Sequence, residues 1–317
     1  MDVHDQAKTS DVPANAYAYV EQRFLPLQEA KISIMTHAFL YGSAIFEGIR
    51  GYYNQKQDDI YILRLIDHYI RMRNNGRLLM IEMEQTAEQL ADITVELIRK
   101  CGYREDIYIR PMVYKSAKRI GLKWGKEYDF LVFAVPIGSY LTKERPLNLM
   151  VSSWRRIQDN AIPARAKVSG SYVNVSLAAQ EARESGFDEG ILLNEDGTVS
   201  EAAGMNIFIV RNGKLITTPV YDNVLEGITR SIVFEIAEDQ NILTEQRSMN
   251  RSELYAAEEA FLCGTGAEIS GVGSIDHRTI GNGQIGPITR KIQEIYFDAV
   301  RGNSPKHKKW LTPVYNR

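Results

Sequence analysis

Apolar positions along the chain recur with two periods, and the places where the period changes mark the elements. Leu90, Ile93, Leu97 and Ile98 follow helical spacing between Thr86, which forms a capping-box pattern with Gln89, and Gly102, suited to a left-handed C-cap. A helix is predicted there. Asp106–Tyr114 and Tyr128–Val135 are β-branched and aromatic runs, hence strands, so the first 140 residues alternate strands with helices as a smaller N-terminal α/β domain. Polar and turn-forming residues break the pattern between Gly138 and Pro146, which places an interdomain linker at 141–149 and the domains at 1–140 and 150–317. Beyond it, Leu147–Trp154 reads as a strand and Ser176–Ser185 as a helix ended by Gly186, with hairpin turns at Asp196-Gly197 and Asn212-Gly213. Gly227-Ile228-Thr229 opens a helical segment through Glu238, and Gly286-Pro287 opens another through Val300. The larger C-terminal domain is therefore strand-rich, and the fold class is mixed α/β.

Composition bounds the function classes. The 317 residues carry 25% charged and 44% hydrophobic side chains, enough for two folded domains with their own cores. Lys plus Arg number 38 against 40 Asp plus Glu, a formal charge of -2, which lacks the basic excess that a nucleic-acid partner requires. Cys101 and Cys263 stand far apart and outside any C-x-x-C pair, so neither a disulfide framework nor a thiolate zinc site is indicated, and a reducing, cytoplasmic setting is expected. From Met1 through Val20 the chain is polar and acidic, and no run of 18 apolar residues follows, so no membrane partner is expected.

Gly281-Asn282-Gly283-Gln284-Ile285-Gly286 matches G-x-G-x-x-G ahead of a helix, but no second parallel strand follows that helix, and the dinucleotide reading fails on context. His4, His37, His68, His277 and His307 show no metal-binding spacing, so no metal is expected; the G-x-S-x-G and P-loop patterns are absent.

A different constellation carries chemistry. Lys167 lies among mostly small residues in Ala161–Gly170, where Arg165 is the other charge; a lone lysine is ordinarily a surface residue, so its neighbours in sequence decide its meaning. Glu201 lies in Val199-Ser200-Glu201-Ala202-Ala203-Gly204-Met205-Asn206, and glycine-bearing turns occur at Leu225–Arg230 and Leu262–Glu268. Each alone reads as turn chemistry. Together they supply what pyridoxal 5'-phosphate demands: an amine for an imine, an acid beside the ring nitrogen, and backbone N–H groups for the phosphate.

With Thr36-His37-Ala38-Phe39-Leu40-Tyr41-Gly42-Ser43-Ala44-Ile45-Phe46-Glu47-Gly48-Ile49-Arg50 and Tyr108-Ile109-Arg110-Pro111 added in order, the chain resembles, over nearly its whole length, the branched-chain amino acid aminotransferases of the fold-type IV pyridoxal-phosphate enzymes. The resemblance implies that family's two-domain architecture. It implies Lys167 as the Schiff-base lysine, Tyr172 on the ring hydroxyl, Glu201 on the ring nitrogen, and Arg71, Gly227, Ile228, Thr229 and Thr265 on the phosphate. Thr265, Gly266 and Ala267 would meet the substrate carboxylate; Tyr41, Phe46, Arg50, Tyr108, Arg110, Ile137 and Tyr140 would line the substrate pocket.

Tyr108 and Arg110, two apart on a predicted strand, leave the same face. The Y-x-R pattern resembles that of branched-chain aminotransferases, in contrast to D-amino-acid aminotransferases and aminodeoxychorismate lyases. Two positions depart from the family: Ile137 stands where many bacterial relatives have Trp, and Met205 replaces the Glu of S-E-x-x-G-E-N, which puts pocket volume and polarity in question. The implied activity is reversible transamination of L-leucine, L-isoleucine and L-valine with 2-oxoglutarate by a ping-pong route through pyridoxamine phosphate, in at least a homodimer. Its small-molecule partners are amino acids and 2-oxo acids. The alternatives are another fold-type IV activity, namely an amine or D-amino-acid transaminase or a lyase, or a pyridoxal-phosphate-binding protein without turnover.

Overall fold

The computed structural model describes residues 13–138 and 145–316, which fall into two units. The first comprises Met1–Tyr140, Ala166–Gly170 and Asp298–Arg317. Its sheet runs Leu311–Pro313, Asp59–Leu63, Ile49–Asn54, Ile107–Lys115, Tyr128–Pro136, Tyr17–Val20, Arg23–Pro26, with Ala44–Phe46 also paired to Ile107–Lys115. Every pairing in it is antiparallel. Helices Leu65–Leu78 and Ala87–Cys101 belong to this unit. The second begins as the sequence predicts: Gln89 N–H donates to Thr86 Oγ1 at 3.2 Å, Thr86 N–H donates to Gln89 Oε1 at 2.8 Å, and Gly102 closes the helix at φ 68°. Leu90, Leu97 and Ile98 are buried on its inner face.

The Ile107–Lys115 strand explains how the site is positioned. Ile107, Ile109 and Val113 are buried, while Tyr108 and Arg110 alternate with them as half-buried residues. Ile49–Asn54 pairs along Ile107–Ile109 and Ala44–Phe46 along Met112–Tyr114, leaving Pro111 opposite the gap between those partners. A proline, which has no N–H to give, is tolerated at such a hand-over. Its carbonyl accepts from Glu47 N–H at 2.9 Å, which fixes the residue linking the two short strands.

The sequence places the C-terminal tail and the Lys167 segment in the second domain; the structure groups residues 166–170 and 298–317 with the first unit. Two sets of long-range hydrogen bonds account for this. Leu311–Pro313 adds an antiparallel strand to Asp59–Leu63, and Phe46 N–H donates to the Lys167 carbonyl at 3.1 Å while Ile45 bridges Val168. Of the expected linker at 141–149, residues 141–144 lie outside the described residues, and Leu147 already opens a strand.

The second unit, Leu141–Arg165 and Ser171–Phe297, is built on a nine-stranded mixed sheet. Its order is Val199–Ala202, Glu189–Leu193, Leu147–Arg155, Glu268–Ile275, Glu259–Gly264, Asn206–Arg211, Lys214–Thr217, Thr244–Gln246, with Arg278–Thr279 on Glu268–Ile275. Both predicted hairpins form; at the second, Asn212 and Gly213 have φ 50° and 69°, the paired positive values a tight two-residue turn requires. Helices run over Tyr172–Glu184, Ile228–Asp239 and Pro287–Val300. The first of these starts four residues before the expected Ser176. Glu259 fills the N-terminus of the third, accepting from Ile288 N–H and Thr289 N–H at 3.0 and 2.8 Å. The helix behind the rejected glycine motif is thus capped by the chain's own carboxylate. Among the described residues no helix is long and apolar enough to cross a membrane, and no group of three or more His, Cys, Asp or Glu could hold a metal ion.

Candidate active site

In the first unit the chemistry gathers around the ring of Phe46. Lys167 Nζ lies 4.9 Å from the ring centroid and the Arg110 guanidinium 4.3 Å from it. Arg110 Nη2 donates to Tyr108 Oη at 2.7 Å, so the phenol and the cation expected to share a wall are joined directly. Gly48 makes room for that phenol: a Cβ there would lie 2.3 Å from Tyr108 Oη. Arg50 is buried and donates through Nη1 to the Gly138 carbonyl at 2.8 Å, holding the stretch that carries half-buried Ile137. Tyr41 is 40% exposed and accepts from Gly121 N–H, while the adjacent Gly42 carbonyl receives Gly170 N–H at the end of the Lys167 segment. Tyr140 lies outside the described residues.

Arg71, on the Leu65–Leu78 helix, pairs side-on with Glu47: Nε with Oε1 at 2.8 Å and Nη2 with Oε2 at 2.6 Å. His68 Nδ1 meets the same Oε2 at 2.8 Å. Burial alone would raise the Glu47 carboxyl, but the Arg71 guanidinium and hydrogen bonds from Arg71 and His68 hold it down to about 2. Burial also lowers His68 below the ordinary histidine value, partly opposed by the hydrogen bond to Glu47. Beside an acceptor-only carboxylate, Nδ1 is the nitrogen that carries a proton and donates.

In the second unit Glu201 is 2% exposed, and both of its oxygens are engaged. Oε1 pairs with Arg156 Nη2 at 2.7 Å; Oε2 accepts from Asn206 Nδ2 at 2.8 Å and Leu225 N–H at 3.2 Å. Arg156 is itself aimed by Nε donating to the Asn223 carbonyl at 2.9 Å. Gly227 is the N-cap of the Ile228–Asp239 helix, which no side chain caps, and a Cβ at 227 would lie 2.1 Å from Asn206 Oδ1. That start carries Ile228 and buried Thr229. Tyr172 opens its own helix, half-buried. Thr265, Gly266 and Ala267 form the turn joining Glu259–Gly264 to Glu268–Ile275, with Ala267 buried and its carbonyl accepting from Ser270 Oγ at 2.8 Å.

Glu47, His68, Arg156 and Asn206 were not singled out by sequence. Signals existed for the first two, since Glu47 follows Phe46 in the F-E-G-I-R run and His68 precedes Arg71 by one helical turn. Arg156, at the end of a strand, carries no local mark. Met205 is 5% exposed and belongs to the apolar core cluster of the second unit, which also includes Ala267.

Comparison with known proteins follows the same lines. The amino-transferase class IV family model matches residues 44–275. A probable branched-chain-amino-acid aminotransferase of Aquifex aeolicus is 48% identical over 303 residues, covering 95% of this chain and 97% of that one. The branched-chain-amino-acid aminotransferase of Escherichia coli is 34% identical over 303 residues, covering 94% and 97%. Among solved structures, the branched-chain aminotransferase of Thermoproteus uzoniensis with norvaline superposes with a TM-score of 0.90 at 43% identity, covering 94% of this chain and 99% of that one. The Thermobaculum terrenum enzyme in its PLP-form does so with a TM-score of 0.89 at 37% identity, covering 94% and 98%.

Proposed function

The chain belongs to the class IV aminotransferases and, within them, to the branched-chain aminotransferases, and from that membership we propose that it exchanges the amino groups of L-leucine, L-isoleucine and L-valine with 2-oxoglutarate in two successive half-reactions on pyridoxal 5'-phosphate. The residues fit this cofactor. A buried carboxylate fixed on both oxygens suits a ring nitrogen that must stay protonated, and a helix start without a side-chain cap suits a phosphate. When bound, the cofactor supplies a conjugated ring that takes up the electrons left when the substrate's α C–H bond breaks.

The chain's own groups do the rest. Lys167 is the amine that anchors the cofactor covalently, and when not so engaged its Nζ serves as base and then acid for the α-proton. Glu201 would meet the ring nitrogen's proton, and Arg156 with Asn206 holds that carboxylate in place. Arg71, Gly227, Ile228, Thr229 and Thr265 bind the phosphate; Tyr172 bonds the ring hydroxyl; Gly266 and Ala267 receive the substrate carboxylate. The substrate side chain lies against Tyr41, Phe46, Arg50, Tyr108, Arg110, Ile137 and Tyr140.

The observation that supports the branched-chain reading best is the Phe46 ring, which meets both the lysine amine and the guanidinium of the Tyr108–Arg110 pair. An apolar ring flanked by cations suits aliphatic donors and an acidic acceptor in turn. A panel of amino donors with 2-oxoglutarate tests it. Keto acid from leucine, isoleucine and valine, with parallel double-reciprocal plots, is the expected result; product only from D-amino acids or simple amines would replace the reading with another activity of the same fold, and no product from any donor would leave a carrier. A cytoplasmic homodimer belongs to the same proposal, and light scattering at working concentration checks the dimer.

A further inference from the structure

The pairing of Glu47 with Arg71 is more than the family reading of Arg71 requires. Glu47 is fully buried, and taking a carboxylate out of water is unfavourable until its partners offset that loss. Its place is fixed three ways: by its N–H on the Pro111 carbonyl, by His68 Nδ1, and by the side-on pair with Nε and Nη2 of Arg71. Such a two-bond pair defines the plane of a guanidinium, whereas an unpaired arginine must give up rotamer freedom when it binds a ligand.

We propose that Glu47 is a positioning residue for cofactor binding: its carboxylate presets the Arg71 guanidinium for the phosphate monoester of pyridoxal phosphate. The proposal rests on the reading of Arg71 as a phosphate ligand. Charge alone predicts the opposite sign, because a carboxylate beside Arg71 offsets its attraction for a dianion, so removing Glu47 would tighten phosphate binding. Orientation predicts that any change displacing the carboxylate weakens it, whether or not the negative charge remains. His68 Nδ1 shares Oε2 of that carboxylate with Arg71 Nη2, while Oε1 is taken by Arg71 Nε.

Protein freed of cofactor is titrated by absorbance with pyridoxal 5'-phosphate and, separately, with pyridoxal, which lacks the phosphate; thermal unfolding confirms that each variant is folded. Glu47→Asp keeps the charge but withdraws the carboxylate by one carbon, and it should weaken pyridoxal phosphate about fivefold while leaving pyridoxal within about twofold. Glu47→Gln should weaken it about tenfold with the same selectivity. Arg71→Lys, which keeps the cation and cannot pair side-on, should likewise lose preference for the phosphorylated ligand, and this variant leaves the buried carboxylate in place. Pyridoxal phosphate bound as tightly as in the wild type, or more tightly, by either Glu47 variant would overturn the proposal, as would equal losses for both ligands. Full preference retained in Arg71→Lys would overturn it too. An Arg71→Ala variant that keeps the preference would remove the phosphate reading of Arg71 beneath it, a failure visible without any change at Glu47.

Discussion

Lys167 and Glu201 are the two positions where a small chemical change should divide binding from turnover. Lys167→Ala removes the amine 4.9 Å from the Phe46 ring centroid, so borohydride should no longer fix cofactor to the protein, and peptide mapping of the wild type should find the label at residue 167. A label on any other lysine would end the assignment. Glu201→Gln keeps an oxygen for Asn206 and Leu225 N–H but cannot hold a ring cation, so cofactor binding should persist while single-turnover rates fall on the order of a hundredfold or more. Ile137→Trp should raise the ratio of kcat/KM for leucine over phenylalanine, because an added ring excludes a bulky donor by overlap. An unchanged ratio would mean that position 137 does not face the substrate. At this scale the sequence disclosed the residues that sit in glycine-bearing turns or family motifs, and it concealed their partners. Glu47 and Arg71 are 24 positions apart and Glu201 pairs with Arg156 across an entire helix, while carboxylates and guanidinia are ordinary surface groups until a fold buries them.

Elements whose ends are decided locally were the most legible. The capping box at Thr86, the Asn212-Gly213 turn and the Gly227 and Pro287 helix starts each depend on a few adjacent residues, and each lies where the pattern puts it. The three-residue strand Ala44–Phe46 could not be read that way, since its partner is Met112–Tyr114 and its length gives no period to detect. One strand carries a prediction of its own. In Glu189–Leu193 every residue is buried, and burial raises the Glu189 carboxyl to about 8 against a hydrogen bond from Gly190 N–H. The folded chain therefore keeps a proton that the unfolded chain gives up near about 4.3, so this group's stabilising effect is complete below that pH and fades as pH rises toward 8. Glu47 has the reverse sign: held down to about 2, it loses its contribution only as pH falls below the unfolded carboxyl value, outside this window. Glu189→Gln should flatten the decline of Tm between pH 5 and pH 8; calorimetry across that range, showing parallel curves for variant and wild type, would refute it.

At the scale of the molecule the least legible feature was the return of the tail to the first unit. Leu311–Pro313 closes the sheet edge at Asp59–Leu63, and the buried Asp59 carboxylate accepts from Val314, Tyr315 and Asn316 N–H at 3.0, 2.8 and 3.1 Å. No periodicity links segments some 250 positions apart; the register comes from pairing and from one carboxylate that satisfies three backbone donors. Asp59→Ala should lower stability by about 1–3 kcal/mol in urea unfolding, because the half-buried Tyr315 N–H loses its acceptor and Val314 N–H keeps only the Ile60 carbonyl; a change below about 0.5 kcal/mol would show that the tail is held by its strand pairing alone. The same returning strand sets an order of events during synthesis. A ribosome delivers the residues of the second unit before it releases the strand that finishes the first, so once Tyr128–Pro136 has been made the N-terminal sheet waits with an open edge for more than half of translation, and at about 5–20 residues per second that interval lasts on the order of ten seconds or more. Unpaired edges invite association with other chains. A nascent chain stalled before residue 311 therefore exposes along Asp59–Leu63 an edge that the finished chain covers with a short strand ending in proline.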